Sequence, residues 1–567
     1  MIQENRNRII NEDYADYIIN YRTSQEILQE LPDATIHIMD NSFAIIYLPV
    51  TSATNSRING LRQVKTPNLF GLTSEISLEA SGVEELRNIP AFRLRGEGVL
   101  IGFVDTGINY TLPAFKKEDG TTKILSIWDQ TIQSEAGYPF NSLFGTEYKA
   151  EQINQALASD NPFEIVPSID ENGHGTMLAA IAAGTDNEAE DFFGVAPDSD
   201  IVIVKLRQAK SYLRNFYSIP EDAVCFQENS IMWGVQYCIQ IARQVNRPVV
   251  ICLGIGTSQS AHDGTAPLCL KLSAAADFTG VGVVVGAGNE GNKRRHFSGV
   301  IDPAVGKVNV ELNVAEDEGG FFFELWGSAP GIYSIDILSP SGEYIPRIVA
   351  GLEVRREISF IFERTVIFIE YQTVETQTGD QLILVNFKNA SAGIWRFTVY
   401  GQGDLPGRFH IWLPMGNFIS QDTYFIQSDI YTTIVTPGNA VVPITVTSYN
   451  PITGTLNVAA SRGYTRTNII KPELAAPGVN YLAPDLYGGY TTYTGSGVAS
   501  AHTAGIAALM FEWGIVRGNQ PSFDTQEIKK YLIRGAKRSS NLTYPNRDWG
   551  FGIIDIFNTF DVLRTII

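Results

Sequence analysis

Residues 99–109 read VLIGFVDTGIN, an apolar run that ends in an aspartate, Asp105, and a glycine turn. An apolar run without a polar face is typical of a strand that is buried on both faces of a parallel sheet. Similar runs end in glycine or a turn at 200–206, 248–254 and 281–289, and helical stretches separate them. This alternation predicts an α/β fold, with a parallel sheet flanked by helices.

The sequence before this region has a different texture. Residues 1–85 predict a small α+β unit that precedes the chemistry. Within it, polar and apolar residues are spaced as in a helix near Ser24–Glu30 and alternate as in strands at Ala34–Met39 and Phe43–Leu48. We therefore expect an N-terminal unit that folds beside the α/β domain.

An insertion interrupts the α/β pattern at 301–429. Short runs rich in Phe, Tyr, Ile and Val alternate there with turns such as SPSGE and TQTGD. Such runs predict an all-β jelly roll or antiparallel sandwich. Helical pattern then returns, so the α/β domain is expected to be discontinuous, over 86–300 and 430–567.

Composition and charge restrict the function. The chain has 567 residues, too many for a single compact core, and 44% of them are hydrophobic, enough to fold. Its formal net charge of −19 would repel a phosphate backbone over most of the surface. We therefore expect neither a nucleic acid nor an anionic membrane surface as a partner.

The four cysteines contain no CxxC pair, so we expect buried free thiols, no metal site and no cofactor. The first thirty residues lack the basic start and apolar run of a signal peptide, which predicts no Sec-type export. Nor does any apolar stretch have the length of a transmembrane helix.

Three polar residues, an aspartate, a histidine and an asparagine, stand in this order at the ends of predicted strands and at the start of a predicted helix. Asp105 ends a buried strand, His174 in NGHGTMLAAIAAG opens a helix of small residues, and Asn289 in VVVGAGNEGN follows another strand. A serine peptidase needs an acid that orients a histidine, a histidine that takes the hydroxyl proton, and donors for the oxyanion. Alone, Asp105 reads equally well as the carboxylate of a capped turn, but the three together favour a peptidase scaffold.

These motifs resemble the subtilase superfamily of subtilisin-like serine proteases, as does KPELAAPGVN at Lys471–Asn480. The resemblance covers about 100–300 and 430–567. It implies that Asp105 orients His174 and that Asn289 lines the oxyanion hole.

The family's nucleophile segment, G-T-S-x-A-x-P-H-x-A-G, aligns with GSGVASAHTAG, and Gly497 stands at the serine position. A second departure lies in the substrate-pairing strand, where Gly254, Ile255 and Gly256 replace the usual S-x-G and put substrate pairing in doubt. Ser496 and Ser500 flank the gap, but neighbouring helical residues point about 100° apart, so rescue by either is not expected.

The residues of this predicted site can also be explained by a structural role without catalysis. In an inactive scaffold, Asp105 and His174 persist as a buried hydrogen-bonded pair, because removing one would leave the other unsatisfied. His502 and His262 are interpreted as structural histidines. The aromatic runs of the insertion are interpreted as core, with carbohydrate binding as the alternative.

Phrases such as GLTSEISLEASGV, KILSIWDQTI and HDGTAPL are similar to the Csp subtilases of spore-forming clostridia. Gly497 groups the chain with the CspA- and CspC-type pseudoproteases of that family. The resemblance implies a spore protein that senses germinants or controls an active Csp protease, with other Csp proteins, a cortex hydrolase precursor or a small germinant as partners. It also implies that residues 1–85 act as a prodomain, which stays attached without a serine to cut it.

Two other hypotheses stay open at this point. One is an active peptidase that uses Ser496 or another residue and cleaves a precursor during germination. The other is a structural or carbohydrate-binding spore component that acts through the jelly roll.

Overall fold

The computed structural model describes residues 2–21, 34–50, 64–76, 94–134, 137–140, 142–351 and 353–566. The α-helices in these ranges are α1 (Ile2–Ile10), α2 (Ala150–Leu157), α3 (Pro162–Ile165), α4 (His174–Ala183), α5 (Ser211–Phe216), α6 (Glu228–Val245), α7 (Pro267–Ala276), α8 (Ser496–Phe511), α9 (Thr525–Gly535) and α10 (Ile556–Ile566). The strands are β1 (Tyr14–Asn20), β2 (Thr35–Ile38), β3 (Phe43–Pro49), β4 (Val64–Lys65), β5 (Leu69–Leu72), β6 (Ser74–Ile76), β7 (Leu100–Asp105), β8 (Ile124–Asp129), β9 (Thr146–Lys149), β10 (Asp200–Lys205), β11 (Phe226–Gln227), β12 (Val249–Leu253), β13 (Ile255–Gly256), β14 (Val281–Gly286), β15 (His296–Ile301), β16 (Lys307–Val314), β17 (Gly320–Gly327), β18 (Ile332–Leu338), β19 (Tyr344–Ile348), β20 (Glu353–Ser359), β21 (Val366–Gln372), β22 (Gln381–Lys388), β23 (Gly393–Gln402), β24 (Gly407–Trp412), β25 (Tyr424–Phe425), β26 (Ile444–Asn450), β27 (Thr455–Leu456), β28 (Leu474–Pro477), β29 (Tyr481–Pro484) and β30 (Tyr490–Gly495).

A largely parallel sheet carries the site. Its strands lie in the order β27-β26-β14-β12-β7-β10-β8-β9, with β28 beside β26, and every residue of β7 is buried. The apolar residues of α4 and α8 pack in the core on one face, and those of α6 and α7 pack on the other. The predicted α/β fold class is confirmed. Because parallel strands end together, the residues that follow them meet at one edge of the sheet.

The N-terminal residues form a separate antiparallel sheet, in the order β2-β3-β1-β4. The predicted strands at Ala34–Met39 and Phe43–Leu48 correspond to β2 and β3, whereas the predicted helix near Ser24–Glu30 lies outside the described residues.

A buried ion cluster joins this sheet to the α/β domain. The Asp16 carboxylate, fully buried in β1, lies 2.6 Å from Lys210 Nζ and 3.3 Å from an Arg207 guanidinium nitrogen. The side-chain amides of Asn229 and Gln227 also donate to it, at 2.9 and 3.3 Å. Burial lowers the pKa of Lys210, and Asp16 opposes that shift. The carboxylate is therefore compensated from several sides.

The insertion is an antiparallel sandwich. One sheet runs β15-β24-β17-β22-β21-β20 and the other β19-β18-β23-β16-β25, with an apolar core of aliphatic and aromatic side chains between them. All of β15, which begins before the expected boundary at 301, pairs with β24. Phe387 and Trp395 of the predicted aromatic runs lie inside this core, as expected.

The four cysteines are free and buried, which confirms the expectation of buried free thiols. Among the helices described, none has the length and apolar character needed to cross a bilayer.

Candidate active site

Asp105 and His174 meet at the edge of the parallel sheet. Asp105 is the last residue of β7, and His174 is the first residue of α4, which packs across that strand. Asp105 Oδ1 lies 2.7 Å from His174 Nδ1 and accepts a hydrogen bond from the Thr106 amide at 2.8 Å. Both side chains are buried. Within the described residues, Asp105 Oδ2 and His174 Nε2 have no hydrogen-bond partner, so Nε2 is left free for a further contact.

Two donors converge on one carbonyl oxygen beside this pair. Asn289 Nδ2 lies 2.5 Å and the Gly497 amide nitrogen 3.2 Å from the carbonyl oxygen of Thr73. The Ser496 amide donates to Asn289 Oδ1 at 3.1 Å and fixes which way the Asn289 side chain faces. A side-chain amide and a backbone amide at a helix start form an oxyanion hole when aimed at the same oxygen. Here the Thr73 carbonyl occupies that hole.

Gly497 is the second residue of α8 and lies directly beside the histidine. A Cβ on Gly497 would be 3.4 Å from His174 Nε2, which is where a nucleophilic side chain would begin. The same Cβ would be only 2.3 Å from Ser74 Oγ. Gly497 therefore has no side chain at the nucleophile position. The Ser74 hydroxyl occupies the space where such a side chain would be.

The flanking serines serve the backbone. Ser496 Oγ accepts from the Gly288 amide at 2.9 Å, and Ser500 Oγ donates to the Gly497 carbonyl at 2.7 Å. Both residues are fully buried. Neither hydroxyl contacts His174, as the direction of successive helical residues led us to expect.

A segment of the chain itself lies in the cleft. β5 pairs antiparallel with β13, and the Thr73 amide and hydroxyl both donate to the Gly254 carbonyl, at 3.0 and 2.6 Å. Beyond Thr73, β6 pairs with β30, with Ser74 opposite Gly495. The chain thus enters and leaves the oxyanion hole as an extended strand, which we call the cleft segment, Leu69–Ile76.

The departure from S-x-G at Gly254, Ile255 and Gly256 put substrate pairing in doubt, yet β13 pairs with the cleft segment of the chain itself. Ladder hydrogen bonds use backbone groups, which glycine keeps. A Cβ on Gly254 would lie 2.5 Å from Leu178 Cδ1 and 2.9 Å from His174 Cε1, so glycine relieves crowding here.

Thr73 and Ser74 were not identified from the sequence. GLTSEISLEASGV carries no spacing that fixes which of its peptide bonds enters the site, because strand pairing reads the backbone and not the side chains. The hydroxyl of Ser74 was the only side-chain feature of this stretch that could have indicated a role in the site.

The two other singled-out histidines are structural, as predicted. His502 Nδ1 lies 3.2 Å from the Tyr481 hydroxyl, and burial lowers the pKa of His502 to about 4. His262 lies between the carbonyls of Ser258 and Ile434, and burial lowers its pKa to about 4 as well. In the part of the chain that is described, no group of three or more His, Cys, Asp or Glu side chains is placed to hold a metal ion.

Comparison with known proteins agrees with this geometry. The sequence profile of the subtilase family (Peptidase_S8) matches residues 96–314 and 416–552. Among solved structures, the CspB protease of Clostridium perfringens is similar, with a TM-score of 0.76 and 31% identity over 86% of this chain and 97% of that one.

Curated relatives are more distant. Subtilisin-like protease SBT1.9 of Arabidopsis thaliana is 24% identical over 84% of this chain and 63% of the relative. Subtilisin-like protease 4 of Arthroderma gypseum is 29% identical over 29% of this chain and 35% of the relative. The chain thus spans less than two thirds of the length of these relatives. From the family match and the arrangement of Asp105, His174 and Asn289, we conclude that the chain belongs to the subtilase family.

Proposed function

We propose that this chain is a catalytically inactive subtilisin-like pseudoprotease that regulates bacterial spore germination. It would do so by sensing a signal or by controlling an active Csp-type protease that activates a cortex hydrolase. The observation that carries the proposal is the Thr73 carbonyl held in the oxyanion hole opposite Gly497, which has no hydroxyl to attack it.

The missing hydroxyl removes covalent catalysis on other proteins. His174 Nε2 is available as a base, but Gly497, whose Cβ would lie 3.4 Å away if it had one, carries no side chain to supply the proton. In subtilisin, removal of the catalytic serine alone lowers kcat by about 10⁶-fold. The donors that remain can still bind a carbonyl, which suits a protein that binds rather than cuts.

The occupied cleft is a second reason to propose an inactive protein. The cleft segment pairs with β13 on one side of Thr73 and with β30 on the other. A substrate would have to displace both ladders and the Asn289 hydrogen bond. We propose that residues 1–85 act as a prodomain that stays covalently attached and keeps the cleft closed.

The regulatory role rests on similarity to a Csp protease and on the loss of the nucleophile. A scaffold that keeps its fold but not its chemistry is suited to binding an active Csp protease, its hydrolase precursor or a small germinant. We place it in the spore on the same grounds. The alternative function is that of a carbohydrate-binding or structural component that acts through the sandwich.

The regulatory proposal is tested by a binding and processing assay. The purified chain would be mixed with an active Csp-type protease and the hydrolase precursor, and spores with and without the chain would be compared. We expect binding to one of the two and altered precursor processing. Unchanged processing and germination, together with binding to peptidoglycan fragments that a variant lacking 296–425 loses, would favour the structural alternative.

Loss of activity predicts no reaction with a fluorophosphonate probe. We expect no covalent adduct at Ser496 or Ser500 under conditions that fully label an active subtilisin, because Gly497 offers no hydroxyl and these two serines are hydrogen-bonded to backbone groups. The adduct is detected by intact mass. Label mapped to Ser496 or Ser500 would support the active-peptidase hypothesis instead.

A further inference from the structure

We propose that Ser74 takes the place of the missing nucleophile and that the retained His174 acts on the chain's own Thr73–Ser74 bond by an N-to-O acyl shift. The shift converts the amide between these residues into an ester on Ser74 Oγ. This activity concerns one internal bond, so it goes beyond the proposed regulatory function and does not require activity on other proteins.

Ser74 lies where the nucleophile of this site would be. Ser74 Oγ and His174 Nε2 both lie within 3.4 Å of the point where a Cβ on Gly497 would be. Among the described residues, neither atom has a hydrogen-bond partner, although both are buried. A buried hydroxyl and a buried imidazole nitrogen without partners each cost free energy, so their juxtaposition calls for an explanation. A proton transfer between them supplies one.

The Thr73 carbonyl carbon is the electrophile. Ser74 Oγ belongs to the residue that follows the Thr73 carbonyl, so its attack on that carbon closes a five-membered ring. The carbonyl oxygen already receives hydrogen bonds from Asn289 Nδ2 and the Gly497 amide, at 2.5 and 3.2 Å. Donors placed in advance on the oxygen that becomes negative stabilise the intermediate without reorganisation. The bond to be attacked is therefore already polarised.

The step balances within the chain. With His174 Nδ1 donating to Asp105, Nε2 takes the proton of the Ser74 hydroxyl as its oxygen bonds to the Thr73 carbon. The tetrahedral intermediate then collapses with cleavage of the bond between that carbon and the Ser74 nitrogen. His174 returns the proton to this nitrogen, and the products are a Thr73 ester and a free α-amino group on Ser74. No oxidant or added reactant is needed.

The ester is expected to revert when nothing intercepts it. The free amino group stays tethered next to the ester carbonyl, which favours return to the amide by proximity. Both sides of Thr73 are held in strand ladders, which limit the access of water. The chain thus stays uncut in plain buffer, whereas a strong small nucleophile captures the ester.

Gly497 is a requirement of this chemistry. Any side chain there would put a Cβ 2.3 Å from Ser74 Oγ and displace the hydroxyl from its place beside His174. Glycine at position 497 therefore leaves room for Ser74.

The test incubates the folded full-length chain with hydroxylamine at neutral pH and follows intact mass. We expect scission into 1–73, ending in a threonine hydroxamate, and 74–567, beginning with Ser74. Ser74→Ala should abolish this cut, and Gly497→Ala should do the same. His174→Ala should slow it at least about 100-fold, the usual size of a general-base contribution.

Ser74→Cys guards against misfolding as the cause of a loss. It keeps a nucleophile at the same place and should still be cut by hydroxylamine at the same bond. Hydroxylamine also attacks Asn–Gly bonds, but cuts at Asn59–Gly60 or Asn172–Gly173 have different masses and do not depend on His174. No cut at 73–74 in the wild type, or an equal cut in Ser74→Ala, would overturn the inference. Neither result bears on whether the chain cleaves other proteins, which the fluorophosphonate test decides.

Discussion

Gly497→Ser is expected to cut the chain between Thr73 and Ser74 without any added nucleophile. The new Cβ would lie 3.4 Å from His174 Nε2, within reach of a hydrogen bond from its hydroxyl, and the Thr73 carbonyl is already in the oxyanion hole. Ser74 Oγ must rotate away from the new Cβ, which is an inexpensive change for a short side chain. Because loss of the serine costs subtilisin about 10⁶ in kcat, self-cleavage should rise by about 10³-fold or more.

Two matched variants separate chemistry from crowding. Gly497→Ala introduces the same Cβ without a hydroxyl and should stay uncut, which excludes a purely steric effect. Gly497→Ser combined with His174→Ala should also stay uncut, because the base is gone. If Gly497→Ser is folded, as judged by circular dichroism, and still uncut after days, something other than the missing hydroxyl disables the site.

Asp16→Ala is expected to release the N-terminal sheet from the α/β domain. Asp16 is fully buried and lies against the buried Lys210 and the partly buried Arg207, so its removal leaves both cations without this carboxylate. Breaking such a pair from one side costs about 3–5 kcal/mol. Hydrogen exchange of the β1 and β3 amides should therefore accelerate by about 100-fold or more, since they report local opening.

Glu12→Ala is the control at the same interface. Its carboxylate accepts from the amide and hydroxyl of Ser211, both at 2.8 Å, but these contacts are exposed to solvent. Exposed interactions of this kind contribute about 0–1 kcal/mol, so exchange should change little. Equal effects of Asp16→Ala and Glu12→Ala would show that the buried cluster does not hold the two units together.

Much of the fold could be predicted from the sequence because its local patterns agree with its packing. The run at 99–104 is apolar on both faces, and β7 is buried on both faces by helices. The aromatic runs of the insertion alternate because each sheet of the sandwich has one inner face. The sequence does not show that β15 belongs to the sandwich, because its pairing with β24 joins residues far apart in sequence.

The site was predictable where side-chain chemistry defines it and not where the backbone does. Asp105, His174, Asn289 and Gly497 each stand in a motif whose spacing places them at the end of a strand or the start of a helix. Thr73 enters the site through hydrogen bonds of its carbonyl and amide, which every residue has. Nor could the sequence reveal that the ion cluster around Asp16 spans positions nearly two hundred residues apart.

The intact mass of the purified wild-type chain tests the central claim most directly. Kept in neutral buffer without added nucleophile, the chain should give one species of all 567 residues, because Gly497 cannot attack the Thr73 carbonyl that lies in the oxyanion hole. The measurement should be repeated over days at 25 °C and 37 °C on the same sample. A species that has lost residues 1–73 would contradict the account, since the chain would then cut its own Thr73–Ser74 bond in plain buffer without a hydroxyl at position 497.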